Sequence, residues 1–489
     1  MANHGIINYP DAQLVTKQLD ALIKKPIYSI KPEALENYCS EYFEKKCPTS
    51  KKMIEEAKQV IPGGVQHNLA FNYPFPLVFT KAEGAYLYDI DGNRYFDFLQ
   101  AGGPTVLGSN PPAVREKVIE LLNTCGPSTG LFHEYEYKLG KKIVDLIPNV
   151  DMFRMLGSGT EACMTAIRVA RLATGKRKIL KMGGAYHGWS DQLGYGIRIP
   201  GTKWTQAHGV PRFCFKDTEE FFPGDLNDLE RKLRANRLKG GTAAVMLEPV
   251  GPESGTRPVD KNFCKGVETL CRKYGALLIF DEVVTAFRVS MNGAQGYFGV
   301  SPDLTVFGKV VAGGYPGAGG LGGKREYMKY LGAGLDGSQK IHKAFCGGTM
   351  SANPLSCVAG YTMLEEMEKA DACYKAGLMG DRITAGLQEL IKKHDLPFVA
   401  FNQALSAILR PSAPCTSPSI GASLGPSPVC STLPTPARRK WSTWALLHGR
   451  GPRNACRQPP LHQRCLHSRD DRRSSRSLRQ SILKRYLPC

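Results

Sequence analysis

Five short apolar runs constrain the fold of this chain more than any other feature. They are Met152–Leu156, Lys178–Met182, Ala243–Leu247, Ala276–Phe280 and Leu304–Phe307. Each is too short for a buried helix, and helical stretches such as Thr160–Thr174 and Lys265–Tyr274 lie between them. Strands that alternate with helices predict an α/β fold built on a mainly parallel, doubly wound sheet covered on both faces. Ligands of such sheets bind beyond the carboxyl ends of the strands, so those ends deserve the closest reading.

The first run leads through Gly157-Ser-Gly-Thr160 into a helix. Unpaired N–H groups at a helix start, with hydroxyls nearby, suit a phosphate held by Ser158, Gly159 and Thr160. A plain N-cap by Ser158 or Thr160 fits equally well. The second run passes into Gly183-Gly-Ala-Tyr186-His187-Gly188, where Tyr186 could stack on a flat ring or simply close a capped strand end. The fourth ends in Asp281 and Glu282. A carboxylate at the end of a buried strand needs a cation or other partner, because desolvation otherwise raises its pKa. Asp281 is the candidate, and Glu282 reads as an exposed neighbour. The fifth run ends in Gly308-Lys309, either a lysine reaching to solvent or a desolvated amine able to form a Schiff base.

Two other features carry less. The segment Gly317-Ala-Gly-Gly-Leu-Gly322 fits G-x-G-x-x-G, but no strand–turn–helix unit and no correctly spaced acid accompany it. The fifteen cysteines include no C-x-x-C pair, so reduced thiols are expected and no metal.

The formal net charge of +20 would ordinarily suggest nucleic acid. Its distribution argues otherwise. Residues 404–489 hold 15 Lys and Arg against 2 Asp and Glu, leaving 49 against 42 upstream. That segment has no Glu, eleven Pro and neither helical nor strand periodicity. Three readings compete: an Arg/Ser-rich nucleic-acid tail, a linker, and out-of-frame translation starting near Ala404. The abrupt, chemically mixed change, with Trp441, Trp444 and five cysteines, favours the last, giving a segment expected to be disordered. No nucleic-acid partner and no membrane span are expected. The polar start of the chain lacks the apolar core of a secretory signal, and a cytoplasmic protein is the expectation.

Taken in order, Gly63-Gly-Val65, the hairpin AYLYDIDGNRYFDF (85–98), SGTEA, AYHG, Glu248-Pro249, IFDEV, FGK, Gly347-Gly-Thr349 and Asn353-Pro354 resemble the class III pyridoxal-phosphate (PLP) aminotransferases. The likeness is strongest to the subgroup of glutamate-1-semialdehyde 2,1-aminomutase, over roughly residues 51–403. It implies PLP fold type I, with a large cofactor domain and a smaller domain built from both chain ends. The implied limits are an N-terminal helical extension (1–50), an N-terminal small-domain segment (51–97), the PLP domain (98–345), the start of the C-terminal small domain (346–403) and the aberrant tail (404–489).

The resemblance also implies site roles. Lys309 would form the Schiff base and move the α-proton, and Asp281 would partner the pyridine nitrogen. Ser158, Gly159 and Thr160 would hold the phosphate and Tyr186 the ring. Thr349 would reach the phosphate of a neighbouring subunit in a homodimer, with His187 and Glu248 as supporting residues. Where the aminomutases carry a substrate-binding arginine after Gly-Gly-Val, this chain has Gln66-His-Asn-Leu-Ala-Phe71. The expected activity is therefore transamination between an amino acid or amine and a keto acid or aldehyde. Isomerisation by an aminomutase is the alternative, and an inactive product of a frameshifted gene is a third reading.

Overall fold

A computed structural model describes residues 4–22, 32–126, 130–332 and 342–403, with the backbone of 407–411. The strands in chain order are β1 (Phe79–Glu83), β2 (Tyr86–Asp89), β3 (Arg94–Phe96), β4 (Met152–Leu156), β5 (Lys178–Met182), β6 (Thr218–Phe221), β7 (Thr242–Leu247), β8 (Leu277–Asp281), β9 (Leu304–Gly308), β10 (Gly319–Gly323), β11 (Phe398–Asn402) and β12 (Ala407–Pro411). Seven form one sheet in the order β4-β10-β9-β8-β7-β5-β6. Only β10 runs against its neighbours. The architecture is the α/β, mainly parallel doubly wound sheet expected of PLP fold type I.

Burial follows the period-2 pleat. Ala244, Met246 and Ile279 pack on one face with Ala162, Ala166 and Ile167 of the helix Gly159–Thr174. Val245, Leu247, Leu278 and Phe280 pack on the other with Leu229, Leu233, Phe263 and Val267. A further layer joins the helices Pro112–Thr124, Glu134–Leu146 and Pro354–Ala370 to Met155 and Phe307. In that layer Gly360 touches the turn after β9 so closely that a Cβ there would lie 2.0 Å from the Val311 oxygen.

The hairpin turning at Asp91-Gly-Asn93 forms as β2 and β3, and it gains β1 as a third, antiparallel strand. Asp91 accepts from the backbone of Thr49 and Ser50 at 2.8 and 2.9 Å, tying the sheet to the helix Pro48–Ala57. The N-terminal helix packs on β11: Val15 and Leu22 of the helix Ala12–Leu22 share a buried cluster with Val399 and Phe401.

β10 was not expected as a strand, since four of its five residues are glycine and glycine is depleted in strands. Packing selects it. A Cβ on Gly319 would lie 2.2 Å from the Ser158 oxygen, and one on Gly320 2.4 Å from Phe153. The glycines of the G-x-G-x-x-G pattern therefore lie largely within a strand, closely apposed to β4, and not in a nucleotide-binding loop. Gly319 is the register partner of Leu156 on one side and of Gly308 on the other.

β12 pairs antiparallel with β11, Phe398 opposite Pro411, so the expected disorder beyond Ala404 does not hold for residues 407–411, whose backbone extends the β11 ladder. The rest of the 404–489 segment lies outside the described residues. Among the described residues no helix is long and apolar enough to cross a membrane.

Candidate active site

β8 and β9 are adjacent and parallel, with Asp281 opposite Val306. Their carboxyl ends therefore deliver Asp281 and, three residues beyond Val306, Lys309 to the same edge of the sheet. Asp281 is 4% exposed. Its Oδ2 lies 2.6 Å from His187 Nδ1 and 3.7 Å from the Cys163 thiol, while Oδ1 accepts from the Val283 amide at 3.1 Å. His187 is buried, and burial lowers its pKa despite the carboxylate. A neutral ring that presents Nδ1–H to Asp281 leaves Nε2 as an acceptor, and this buried Nε2 has no hydrogen-bond partner among the described residues.

The ligand atoms of Cys163, His187 and Asp281 all lie within 4.8 Å of one another. That spacing would admit a metal ion, but burial holds the Cys163 thiol well above its ordinary pKa, and the thiolate is the metal-binding form. The described cysteines are free.

The helix Gly159–Thr174 begins where β4 ends. Ser158 is its N-cap, the hydroxyl accepting from the Glu161 amide at 3.2 Å. Of the two readings of Ser158, the capping one is thus realised. The first amides of a helix lack intrahelical partners, and Gly159 places no side chain over them. Thr160 lies beneath the Ala185–Gly188 turn: a Cβ on Gly188, which has φ +85°, would fall 2.4 Å from Thr160 Oγ1. Val283, not singled out from sequence, packs against both Gly159 and Gly308, within 3 Å of where each Cβ would stand.

Lys309 has φ +49°, a left-handed conformation that costs a non-glycine residue about 1–3 kcal/mol. Such strain is retained where the surroundings dictate it. The Lys309 stem lies beside Gly103, whose Cβ would stand 3.4 Å from Lys309 Cδ. The buried Arg288 donates to the Gly103 oxygen. Leu69, from the segment after Gly-Gly-Val, reaches the adjoining Gly102, 3.5 Å from its Cβ position.

Tyr186 is 43% exposed, and its amide donates to Glu248 Oε1 at 3.0 Å. Glu248 also accepts from the Glu253 and Ser254 amides at 2.9 and 2.7 Å. Burial, helped by Asp281, pushes its carboxyl up to about 8, with the Ser254 and Tyr186 amides pulling back. Thr349 stands in an exposed turn. Its neighbour Gly348 lies near Glu161 of the first turn of the helix Gly159–Thr174. Glu282 corrects the sequence reading: it is buried, not an exposed neighbour. Its carboxylate accepts from Thr285 Oγ1 at 2.9 Å, the Ala294 amide at 2.6 Å and the Gln295 amide at 3.1 Å. Lys181, inside β5, is fully buried as well and was not anticipated.

A helix start opening beside Thr160, a buried carboxylate–imidazole pair and a lysine on the same strand edge form a donor set suited to PLP. The sequence model of the aminotransferase class-III family matches residues 69–399. The chain belongs to that family, whose members are PLP-dependent enzymes.

Glutamate-1-semialdehyde 2,1-aminomutase 1 of Lachnoclostridium phytofermentans is 38% identical over 357 residues, covering 71% of this chain and 81% of that relative. The solved omega-transaminase of Sphaerobacter thermophilus superimposes with a TM-score of 0.66 at 28% identity, over 74% of this chain and 82% of that one. The solved beta-phenylalanine aminotransferase of Variovorax paradoxus does so with a TM-score of 0.65 at 25% identity, over 81% and 82%.

Proposed function

We propose that this chain is a transaminase that moves an amino group between an apolar amino acid or amine and a keto acid or aldehyde. The observation that carries this reading is the buried Asp281–His187 pair on the strand beside the one that ends in Lys309. Bound PLP supplies an electrophilic carbonyl for the incoming amine and a ring that takes up electron density. Asp281 would hold the pyridine nitrogen protonated, and the His187 contact fixes the direction of its carboxylate. The helix start at Gly159 and Thr160 would bind the phosphate, Ser158 would serve as its cap, and Tyr186 would cover the ring. Lys309 would hold the cofactor between turnovers and afterwards move the proton at the substrate α-carbon. The stretch Gln66–Phe71, which lacks the arginine expected there of an aminomutase and carries the apolar Leu69 and Phe71, supports an apolar substrate. Thr349, exposed in the single chain, would serve a neighbouring subunit of a homodimer.

An aminomutase is the second reading, favoured by the 38% identity to one. The two separate in one experiment. The PLP-loaded chain is offered amino donors, with and without a second keto acid, and separately glutamate 1-semialdehyde. Multiple turnovers that require the second keto acid support the transaminase. Isomerisation without it overturns that reading in favour of the mutase.

A further inference from the structure

Lys181 and Glu248 are both buried, at 0% and 5% exposure, and they meet the same peptide group from opposite ends. Lys181 Nζ donates to the Ala185 oxygen at 2.8 Å. Glu248 Oε1 accepts from the Tyr186 amide at 3.0 Å. That oxygen and that N–H belong to one peptide unit, the one linking Ala185 to Tyr186.

We propose that Lys181 and Glu248 act as a hydrogen-bonded clamp on the Ala185–Tyr186 peptide, positioning Tyr186 and His187 over the cofactor. At the lysine end the hydrogen bond is charge-assisted and stronger than a neutral one, and a peptide held at both ends cannot rotate. The rotation it forbids would swing Tyr186 off the ring and His187 off Asp281. Each jaw is anchored beyond the peptide. Lys181 also donates to the Tyr195 oxygen at 2.7 Å, holding the following loop. Glu248 accepts from the Glu253 and Ser254 amides. A buried lysine is expensive to desolvate, and burial pushes Lys181 down to about 8; an apolar side chain at this position would fill the same space without that cost. Gly183 and Gly184 leave the turn free to bend, so its geometry must come from outside it. Lys181 and Glu248 are positioning residues, since neither is assigned a contact with substrate. The inference rests on the PLP reading and adds the means by which the ring-facing turn is held.

The test uses the full chain, purified free of PLP and titrated with it. Lys181→Met removes charge and donors while keeping an unbranched stem, and Glu248→Met removes the acceptor oxygens at similar length. Three quantities are read: the melting temperature of the PLP-free chain, the PLP dissociation constant, and the visible circular dichroism of bound PLP, which reports how the ring is held. Each single variant is expected to weaken PLP binding by at least about tenfold and to reduce the dichroism per bound cofactor. The double variant should be no worse than the worse single one, because the two residues act on one peptide.

A folded Lys181→Met chain with wild-type affinity and dichroism overturns the proposal, whatever its melting temperature. Independent, multiplying losses in the double variant also overturn it. If Lys181→Met does not fold, Glu248→Met decides alone, and unchanged affinity and dichroism sink the clamp. Failure of the PLP reading looks different: the wild-type chain itself then takes up no PLP, and the clamp falls with it.

Discussion

His187 Nδ1 and Asp281 Oδ2 stand 2.6 Å apart, both side chains closed to solvent. The contact joins the turn after β5 to the end of β8, so the turn that carries Tyr186 and the proposed nitrogen partner are set relative to each other by one bond. Asp281 is thereby held in a fixed direction before any ligand arrives, the preorganisation that electrostatic catalysis requires.

Asp281→Asn should therefore bind PLP more nearly normally than it turns over. The amide cannot hold a protonated pyridine nitrogen, and a loss of at least ~10²-fold in kcat is expected, as for removal of a key electrostatic group. Steady-state kinetics on the PLP-saturated variant checks this. Near-normal turnover would mean that Asp281 has a structural role instead.

Lys309→Ala should abolish the visible absorbance of lysine-bound PLP while leaving non-covalent binding in place. Borohydride reduction and peptide mapping give the same answer in the wild type. A covalent adduct at any other lysine would refute the assignment.

Glu248 makes stability depend on pH in a defined sense. Its folded pKa is raised from 4.5 to about 8, so between those values the folded chain holds a proton that the unfolded chain has lost. Its contribution is full below the unfolded value and is lost as pH rises towards 8, by at most ~1.4 kcal/mol per pH unit. Glu248→Gln removes this term. The melting temperature of the wild type minus that of Glu248→Gln should fall between pH 5 and pH 8, and a constant difference contradicts the assignment.

Gly360→Ala should destabilise the chain by about 1–3 kcal/mol or more, as overpacking does. The added Cβ would lie 2.0 Å from the Val311 oxygen, and relief must come from the turn that carries Lys309. A lower melting temperature with weaker PLP binding is expected; a variant as stable as the wild type would show that the helix can simply move away.

The out-of-frame reading of the segment after Ala404 is checked in the coding DNA. Shifting the frame near that codon should uncover a continuation with Glu, Lys and helical periodicity. Immediate stop codons in both other frames would show the tail to be genuine.

Much of the large sheet was legible because its parallel strands are continuous apolar runs closed by glycine or charge. β4 and β5 begin and end where the sequence places them, and β7, β8 and β9 shift by a residue at one or both ends. β6 escaped because Glu219 and Glu220 break its apolar pattern, and β10 because its glycines are chosen by the neighbours' closeness, not by strand propensity. Lys181 carries no sequence signal within the β5 run. The carbonyls that hold it, at Ala185 and Tyr195, come from a loop with no periodicity to read. Glu282 was misjudged for a similar reason, since two of its donors, the Ala294 and Gln295 amides, lie twelve and thirteen residues away.

The double pairing of Gly319, with Leu156 on one side and Gly308 on the other, has a metric consequence. Neighbouring strands lie ~4.8 Å apart, so the turn Gly157–Thr160 after β4 and the route to Lys309 after β9 are separated by two such steps, ~10 Å in all. That interval is set by a count of backbones and cannot be adjusted by exchanging side chains. The span between the proposed phosphate turn and Lys309 is thus a fixed dimension of the scaffold. Changes in the loop Gln66–Phe71, proposed to face the substrate, would leave that dimension the same.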